Sequence, residues 1–233
     1  MSYDNLKEGK GMGKEINGKL RSHMVIMPEG IWKAKGLRIF GRKIKAIVFS
    51  TDIAIIRNIN ADAVIAVYPF TPQPIITQSI LSAANMPVFA GVGGGLTSGK
   101  RSVELARHAE HQGATGVVLN APASNDLIKS IAEVIDIPIL VTIVSENDDI
   151  DGRIASKAAI LNVSASSQTP KIVADIRKKH SNIPIVATGG PTEETIKATI
   201  DAGADAITWT PPTTSSLFKG IMESYRNGFM QIF

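Results

Sequence analysis

Cysteine is absent from the 233 residues. No disulfide, thiolate nucleophile or cysteine-ligated zinc is therefore available, and the composition suits a reducing compartment. Aromatic residues make up 5% of the chain, too few for a base-stacking platform on nucleic acid. No apolar run approaches the ~18 residues of a membrane-spanning helix. Residues 1–21 are charged and glycine-rich rather than apolar like a secretory leader. A cytoplasmic protein is expected, with neither a membrane nor a nucleic acid as partner. The net charge of +4 comes mostly from basic residues of the head, among them Lys7, Lys10, Lys14, Lys19 and Arg21. A solvated face and a flexible arm account for it.

What the chain does have is alternation. Eight runs rich in Val, Ile and Ala read as buried parallel strands: 45–50, 63–68, 87–91, 116–120, 138–143, 159–163, 184–188 and 205–210. Segments between them carry helical periodicity. In one of these, Val103, Ala106 and Ala109 share a side. Asn125, Thr192 and Ser98 are expected helix caps. An internal repeat supports the count. Three runs enter through Asn85-Met86-Pro87, Asp136-Ile137-Pro138 and Asn182-Ile183-Pro184, where a proline at a strand start loses little. Three others enter through Asn60-Ala61-Asp62, Gly113-Ala114-Thr115 and Gly203-Ala204-Asp205. The expected fold class is α/β, a (β/α)8 TIM barrel over residues 45–233, with an N-terminal extension over residues 1–44. Residues 25–40 are expected to cover the floor or flank of the barrel.

Function in such a barrel belongs to the loops after the strands. Two loop carboxylates, Asp52 after the first run and Glu146 after the fifth, lie across an eight-strand ring and are the acid–base candidates. Asp52 equally suits the cap of a helix starting at Ile53, and Glu146 equally suits a solvated acidic loop. That loop, Glu146-Asn147-Asp148-Asp149, is also the candidate for a divalent metal; no organic cofactor is expected. Asn120, Thr142, Asn162 and Ser164 interrupt apolar strands, so they either satisfy one another or line a substrate pocket. Tyr68 and Trp209 are candidate pocket walls or core residues. Lys100, following a glycine loop, could neutralise a substrate anion. The four histidines, His23, His108, His111 and His180, read as peripheral. Gly189 and Gly190, with Thr213, Thr214, Ser215 and Ser216 at a helix start, form the candidate phosphate site.

Pro184-Ile185-Val186-Ala187-Thr188-Gly189-Gly190, followed by a helix and Ala202-Gly203-Ala204-Asp205-Ala206-Ile207, resembles the phosphate-binding barrel superfamily of phosphosugar epimerases and thiamine-phosphate synthases. The resemblance implies a phosphate held after the last two strands. Where those families place a glycine and a small hydroxyl residue, this chain has Thr210-Pro211-Pro212-Thr213, whose prolines remove two N–H donors. Pro87-Val88-Phe89-Ala90-Gly91-Val92-Gly93, Val103 to Ala109 and Gly113-Ala114 resemble the dihydrodipicolinate synthase and N-acetylneuraminate lyase class. The lysine and tyrosine of that class are missing, since the sixth run reads Ile160-Leu161-Asn162-Val163-Ser164 and the fourth ends Asn120-Ala121-Pro122. The expected activity is isomerase, epimerase or lyase chemistry on a small phosphorylated metabolite. A hydrolase using the same carboxylates is the alternative, and so is a non-catalytic ligand-sensing barrel. A homo-oligomer is expected from apolar surplus in Val25, Ile26, Met27, Ile31 and Trp32 of the head and in Phe229, Met230, Ile232 and Phe233 of the tail.

Overall fold

The computed structural model describes residues 25–227. After a 3-10 helix at Glu29–Lys33 comes an antiparallel hairpin, β1 (Leu37–Ile39) and β2 (Arg42–Ile44). The remaining elements alternate: β3 (Ala46–Phe49), α1 (Ile53–Arg57), β4 (Ala63–Ala66), α2 (Pro74–Ala83), β5 (Val88–Gly93) and α3 (Gly99–His111). Next come β6 (Gly116–Leu119), α4 (Asn125–Ala132), β7 (Ile139–Ile143), α5 (Ile150–Ala155), β8 (Ile160–Val163) and α6 (Thr169–Lys179). The series ends with β9 (Ile185–Thr188), α7 (Glu193–Asp201), β10 (Ala206–Trp209) and α8 (Thr214–Arg226). Strands β3 to β10 pair in parallel in chain order, and β10 closes on β3 through Ile207 opposite Ala46 and Trp209 opposite Val48. The expected TIM barrel is the observed fold, and all eight expected strands are present.

Two apolar clusters form because side chains alternate across the sheet. Ile47, Ile65, Phe89, Val118, Leu140, Ile160, Val186 and Ala206 make one cluster, the barrel interior. Val48, Val64, Ala90, Val117, Val141, Leu161, Ala187 and Ile207 belong to the other, beneath the helices. Leu37, Ile39 and Ile44 join the interior cluster, so the hairpin plugs the floor. At the flank, the backbone of Val25 bridges to Ile59, and Gly30 donates to a Glu193 carboxylate oxygen on α7 at 2.9 Å. Val25, Met27 and Ile31 are buried there. Of the expected apolar surplus of the head, Ile26 alone is among the exposed large hydrophobics. The apolar tail lies outside the described residues, as does His23.

The two-module repeat has a hydrogen-bonding basis. Pro87, Pro138 and Pro184 sit just before their strands, and each carbonyl accepts from a strand neighbour, Val64, Val117 and Leu161 respectively. At two of the three strand starts of the second kind, aspartate does the joining. Asp62 accepts from the N–H groups of Lys45 (2.8 Å) and Ala46 (3.1 Å), and Asp205 from that of Ile185 (2.9 Å). Arg177 reinforces the last entry by donating to Asp205 and to the carbonyls of Gly203, Ser181 and Ile183. One expected cap moves by a residue. Ser124, not Asn125, caps α4, because the Asn125 side chain is engaged with Asp149 and Arg153. Thr192 forms a capping box with Thr195, and Ser98 precedes α3 without a capping bond.

Candidate functional site

Following the inward-facing period of two past the apolar interior reaches a polar layer at the strand ends. Val118, Leu140, Ile160, Val186 and Ala206 are succeeded, two positions on, by Asn120, Thr142, Asn162, Thr188 and Thr208. Three of these form a chain. Asn162 Nδ2 donates to Thr142 Oγ1 (3.3 Å), and Thr142 Oγ1 donates to Asn120 Oδ1 (3.2 Å). Above it, Thr188 donates to Ser164 at 3.2 Å. Thr142, Asn162 and Thr208 are at most 9% exposed. Two oxygens in this layer, Asn162 Oδ1 and Thr208 Oγ1, are buried without a hydrogen-bond partner among the described residues. Thr188 and Thr208 were not singled out from the sequence, because threonine in a β run reads as an ordinary strand former.

Val67 continues the apolar side of the layer and walls two recesses. One, about 240 Å3, is lined by Phe49, Ser50, Thr51, Asp52, Thr210, Pro211, Pro212 and Thr213. The other, smaller, lies among Tyr68, Gly91, Gly93, Gly94 and Asn120. In these two linings Asp52 carries the single formal charge. Asp52 caps α1, its Oδ1 accepting from Ala54 (2.8 Å) and Ile55 (3.2 Å), while the Thr214 hydroxyl donates to Oδ2. The Thr214 bond holds its pKa below the ordinary aspartate value, burial opposes this, and the N–H bonds add to it. Asp52 is therefore an ionised carboxylate at neutral pH.

The other candidates fall apart in space. Glu146 pairs with Lys171 of α6, in a hollow of about 480 Å3 that α5 and α6 border outside the barrel wall. The acidic loop does not converge. Asp148 accepts from Val144 and Ser145, and Asp149 accepts from Gly152 and from Asn125 of α4, so each carboxylate is engaged with partners of its own. Lys100 lines a separate hollow of about 990 Å3 between α3 and α4, with Glu104, Arg107 and Asp126. Both outer hollows exceed the mouth recess in volume, but they are bordered by α5 and α6 and by α3 and α4, away from the strand ends at the mouth. Tyr68 uses its hydroxyl to accept from Gln73 at 2.7 Å. Trp209 is half-buried against the helix-side core. His108 and His111 lie in the last turn of α3, and His180 lies at the end of α6, 2.9 Å from Asp151.

At the expected phosphate site, the hydroxyls of Thr213, Thr214 and Ser216 are already engaged. Thr213 caps α8 by accepting from Ser216 N (3.1 Å), the Thr213 and Ser216 hydroxyls bond each other, and Thr214 bonds Asp52. The Asp52 charge sits beside that helix start, where it repels a further anion. Gly189 donates to Thr208 O at 3.2 Å, and a side chain there would strike Ile207 and Ile196. Gly190 lies against Thr195. Both glycines are thus packed against the barrel itself.

No protein-family model matches the chain, and no curated protein matches it. Solved structures do. A phosphoenolpyruvate phosphomutase from Streptomyces platensis subsp. rosaceus has a TM-score of 0.59 and 16% identity, over 78% of this chain and 80% of that one. A phosphonopyruvate hydrolase, in complex with oxalate and Mg2+, has a TM-score of 0.60 and 10% identity, over 81% and 84%. A 4-hydroxy-tetrahydrodipicolinate synthase from Methylacidiphilum fumariolicum SolV has a TM-score of 0.51 and 17% identity, over 73% and 64%. These similarities define the class as a TIM barrel. The phosphosugar epimerase superfamily is not among these three. The Mg2+ of the hydrolase complex invites a fit test. Hard divalent cations need several convergent oxygens, carboxylates first. The mouth offers one carboxylate, already bonded at both oxygens, and among the described residues no group of three His, Asp or Glu could hold a metal. The donor set does not fit, and no step is derived through a metal. Among the described residues no helix is long and apolar enough to cross a membrane.

Proposed function

We propose that the chain is an isomerase- or lyase-type enzyme acting on a small metabolite that carries hydroxyl or amine groups and sits at the barrel mouth. The supporting observation is the pair of unpartnered buried oxygens, Asn162 Oδ1 and Thr208 Oγ1, at the ends of the inward-facing columns of β8 and β10, on either side of that of β9. Leaving such a group unpaired costs about 1–3 kcal/mol, so a ligand donor placed there is favoured. In this reading Asn120, Thr142 and Asn162 orient the substrate, and Phe49 and Val67 wall it. Asp52 receives the proton, from carbon beside a carbonyl or, in a hydrolase, from water. The neighbours' names mention phosphoenolpyruvate, phosphonopyruvate and oxalate, all anions. A neutral lining with one carboxylate favours a neutral or cationic substrate here instead.

A panel of polyols, hydroxy-carbonyl compounds and amines tests this, read by thermal stabilisation and by turnover. Asn162→Leu and Thr208→Val should each weaken binding of the active compound about tenfold, the worth of one hydrogen bond. Asp52→Asn should keep binding and lower turnover by about 100-fold or more. Unchanged affinity in both Asn162→Leu and Thr208→Val refutes the reading. One observation favours a second reading, a ligand-sensing barrel without catalysis: the Asp52 carboxylate already accepts from two N–H groups and a hydroxyl. Stabilisation of the wild type by a compound that it never turns over, with Asn162→Leu abolishing the stabilisation, selects that reading.

A further inference from the structure

Thr142 stands between Asn120 and Asn162 in the polar layer, and its hydroxyl has a single proton to give. That proton goes to Asn120 Oδ1 at 3.2 Å. Toward Asn162 the hydroxyl can then only accept, and it does so from Nδ2 at 3.3 Å. The two amides are thereby set in opposite senses. Asn162 turns nitrogen to Thr142 and keeps Oδ1, an acceptor, buried and unpartnered among the described residues. Asn120 turns oxygen to Thr142 and keeps Nδ2, a donor, and it lines the smaller recess of the mouth. The reverse chain, from Asn120 Nδ2 through Thr142 to Asn162 Oδ1, makes as many bonds and exchanges the two roles. Like roles are costly. Two amide oxygens facing Thr142 compete for one proton, and two nitrogens leave that proton without an acceptor among the three side chains. Thr142 and Asn162 are buried, so bulk water does not relieve the mismatch.

We infer that Thr142 couples Asn120 and Asn162 into one reader, which selects a ligand offering an acceptor to one amide and a donor to the other: a hydroxy-carbonyl compound. This rests on the proposed placement of the substrate at the mouth and narrows its class. A diamine only donates and a dicarbonyl compound only accepts, so each leaves one amide unmatched. A diol matches both, but lacks the carbonyl beside which Asp52 would take a proton. Thr142 acts through its two neighbours and is a positioning residue. Asn120 follows β6 and Asn162 lies in β8, on either side of β7. Two strand spacings separate them, roughly 10 Å at the backbone. A donor and an acceptor about four carbons apart reach both amides, with a hydrogen bond of about 2.9 Å at each end.

Acetopropyl alcohol, its methyl ether and putrescine test this, titrated against the full chain with affinity read by NMR. The alcohol should bind the wild type about tenfold tighter than the ether, which has lost the donor, the worth of one hydrogen bond. In Thr142→Val the amides turn independently, and that margin should shrink to about twofold. Thr142→Ser should keep it. Putrescine, which Asp52 attracts in every variant, should gain about three- to tenfold on passing from wild type to Thr142→Val. An alcohol-to-ether margin equal in wild type and Thr142→Val overturns the inference, and so does an alcohol that does not bind. A Thr142→Val chain that fails to fold shifts the decision to Asn162→Leu. By releasing Thr142, that variant should move the side-chain amide signals of Asn120, and unmoved signals overturn the inference. The margin with no turnover of any compound keeps the reader and removes catalysis. Alcohol affinity that falls in Asn162→Leu, with no margin over the ether, keeps the mouth reading and removes the reader.

Discussion

Gly94 lies where the β5 loop crosses the end of β6, and a methyl group there separates two costs. Its φ is +108°, and an added Cβ would lie 2.1 Å from the carbonyl oxygen of Asn120 and 2.6 Å from the carbonyl carbon. Neighbouring Gly95 has φ +62°, with nothing within 4 Å of an added Cβ. Gly95→Ala therefore incurs the left-handed backbone penalty alone, about 1 kcal/mol. Gly94→Ala incurs at least that, plus an overpacking term of about 1–3 kcal/mol for displacing backbone. For a chain of this size, 1 kcal/mol moves the melting temperature by about 2–4 °C. Gly95→Ala should lower it by roughly 3 °C and Gly94→Ala by roughly 4–16 °C at the same scale. The clash pushes on Asn120, so Gly94→Ala should also weaken the mouth ligand while Gly95→Ala does not. Calorimetric melting of the two variants beside wild type is the assay. Equal shifts would refute the placement of the loop against Asn120.

Three further outcomes follow from other parts of the barrel. Thr208→Val removes an unpartnered buried oxygen, so urea unfolding without ligand should show stability unchanged or raised by about 1 kcal/mol, whereas Asn162→Leu removes one together with the Nδ2 bond to Thr142 and should be unchanged or lowered by about 1 kcal/mol. A loss beyond about 2 kcal/mol would mean that those oxygens have partners in the free protein. Arg177→Met cuts the bonds to Gly203, Ser181, Ile183 and Asp205, and should cost about 3–5 kcal/mol in the same assay; a cost below about 1 kcal/mol would reduce the clamp to a surface pair. Asp52 has its folded pKa lowered, first by the Thr214 hydroxyl, so its contribution is full above the unfolded aspartate value near ~3.9 and fades as pH falls through the folded one. The stability gap between wild type and Asp52→Asn should be flat above about pH 5 and narrow in acid; a gap that widens in acid contradicts the assignment.

The strands were readable because runs such as Ala46-Ile47-Val48-Phe49 and Ile139-Leu140-Val141 stay apolar on both faces, as a covered parallel sheet requires. The polar interruptions Asn120, Thr142 and Asn162 pointed to the mouth for the same reason: asparagine is costly in such a run unless bonded. Thr188 and Thr208 escaped notice because threonine fits a strand by propensity alone. The roles of Glu146 and Lys100 depended on side-chain direction, which loop position does not encode. Glu146 turns to Lys171 and Lys100 to the α3–α4 hollow. Asp52 illustrates the limit most directly. Its place as a cap was legible from Ile53 onward, whereas the Thr214 bond joins positions at opposite ends of the barrel sequence. The exposure along α8 was equally hidden, because an amphipathic last helix looks the same in sequence whether or not its own wall buries it.

The floor plug and the flanking 3-10 helix impose an order on synthesis. Gly30 waits for Glu193, and Gly36 donates to the carbonyl of Asp205 at 2.7 Å. At roughly 5–20 residues per second, the ribosome reaches Asp205 about ten to thirty seconds after Gly36. Through that interval Ile31, Leu37, Ile39 and Ile44 are made but lack the β9, α7 and β10 surfaces that bury them. The segment that starts the described fold is thus the last to be housed, and barrel closure and head docking become one event. A nascent chain stalled before β10 would carry its apolar head unsheltered, a condition that favours association between unfinished chains over completion within one.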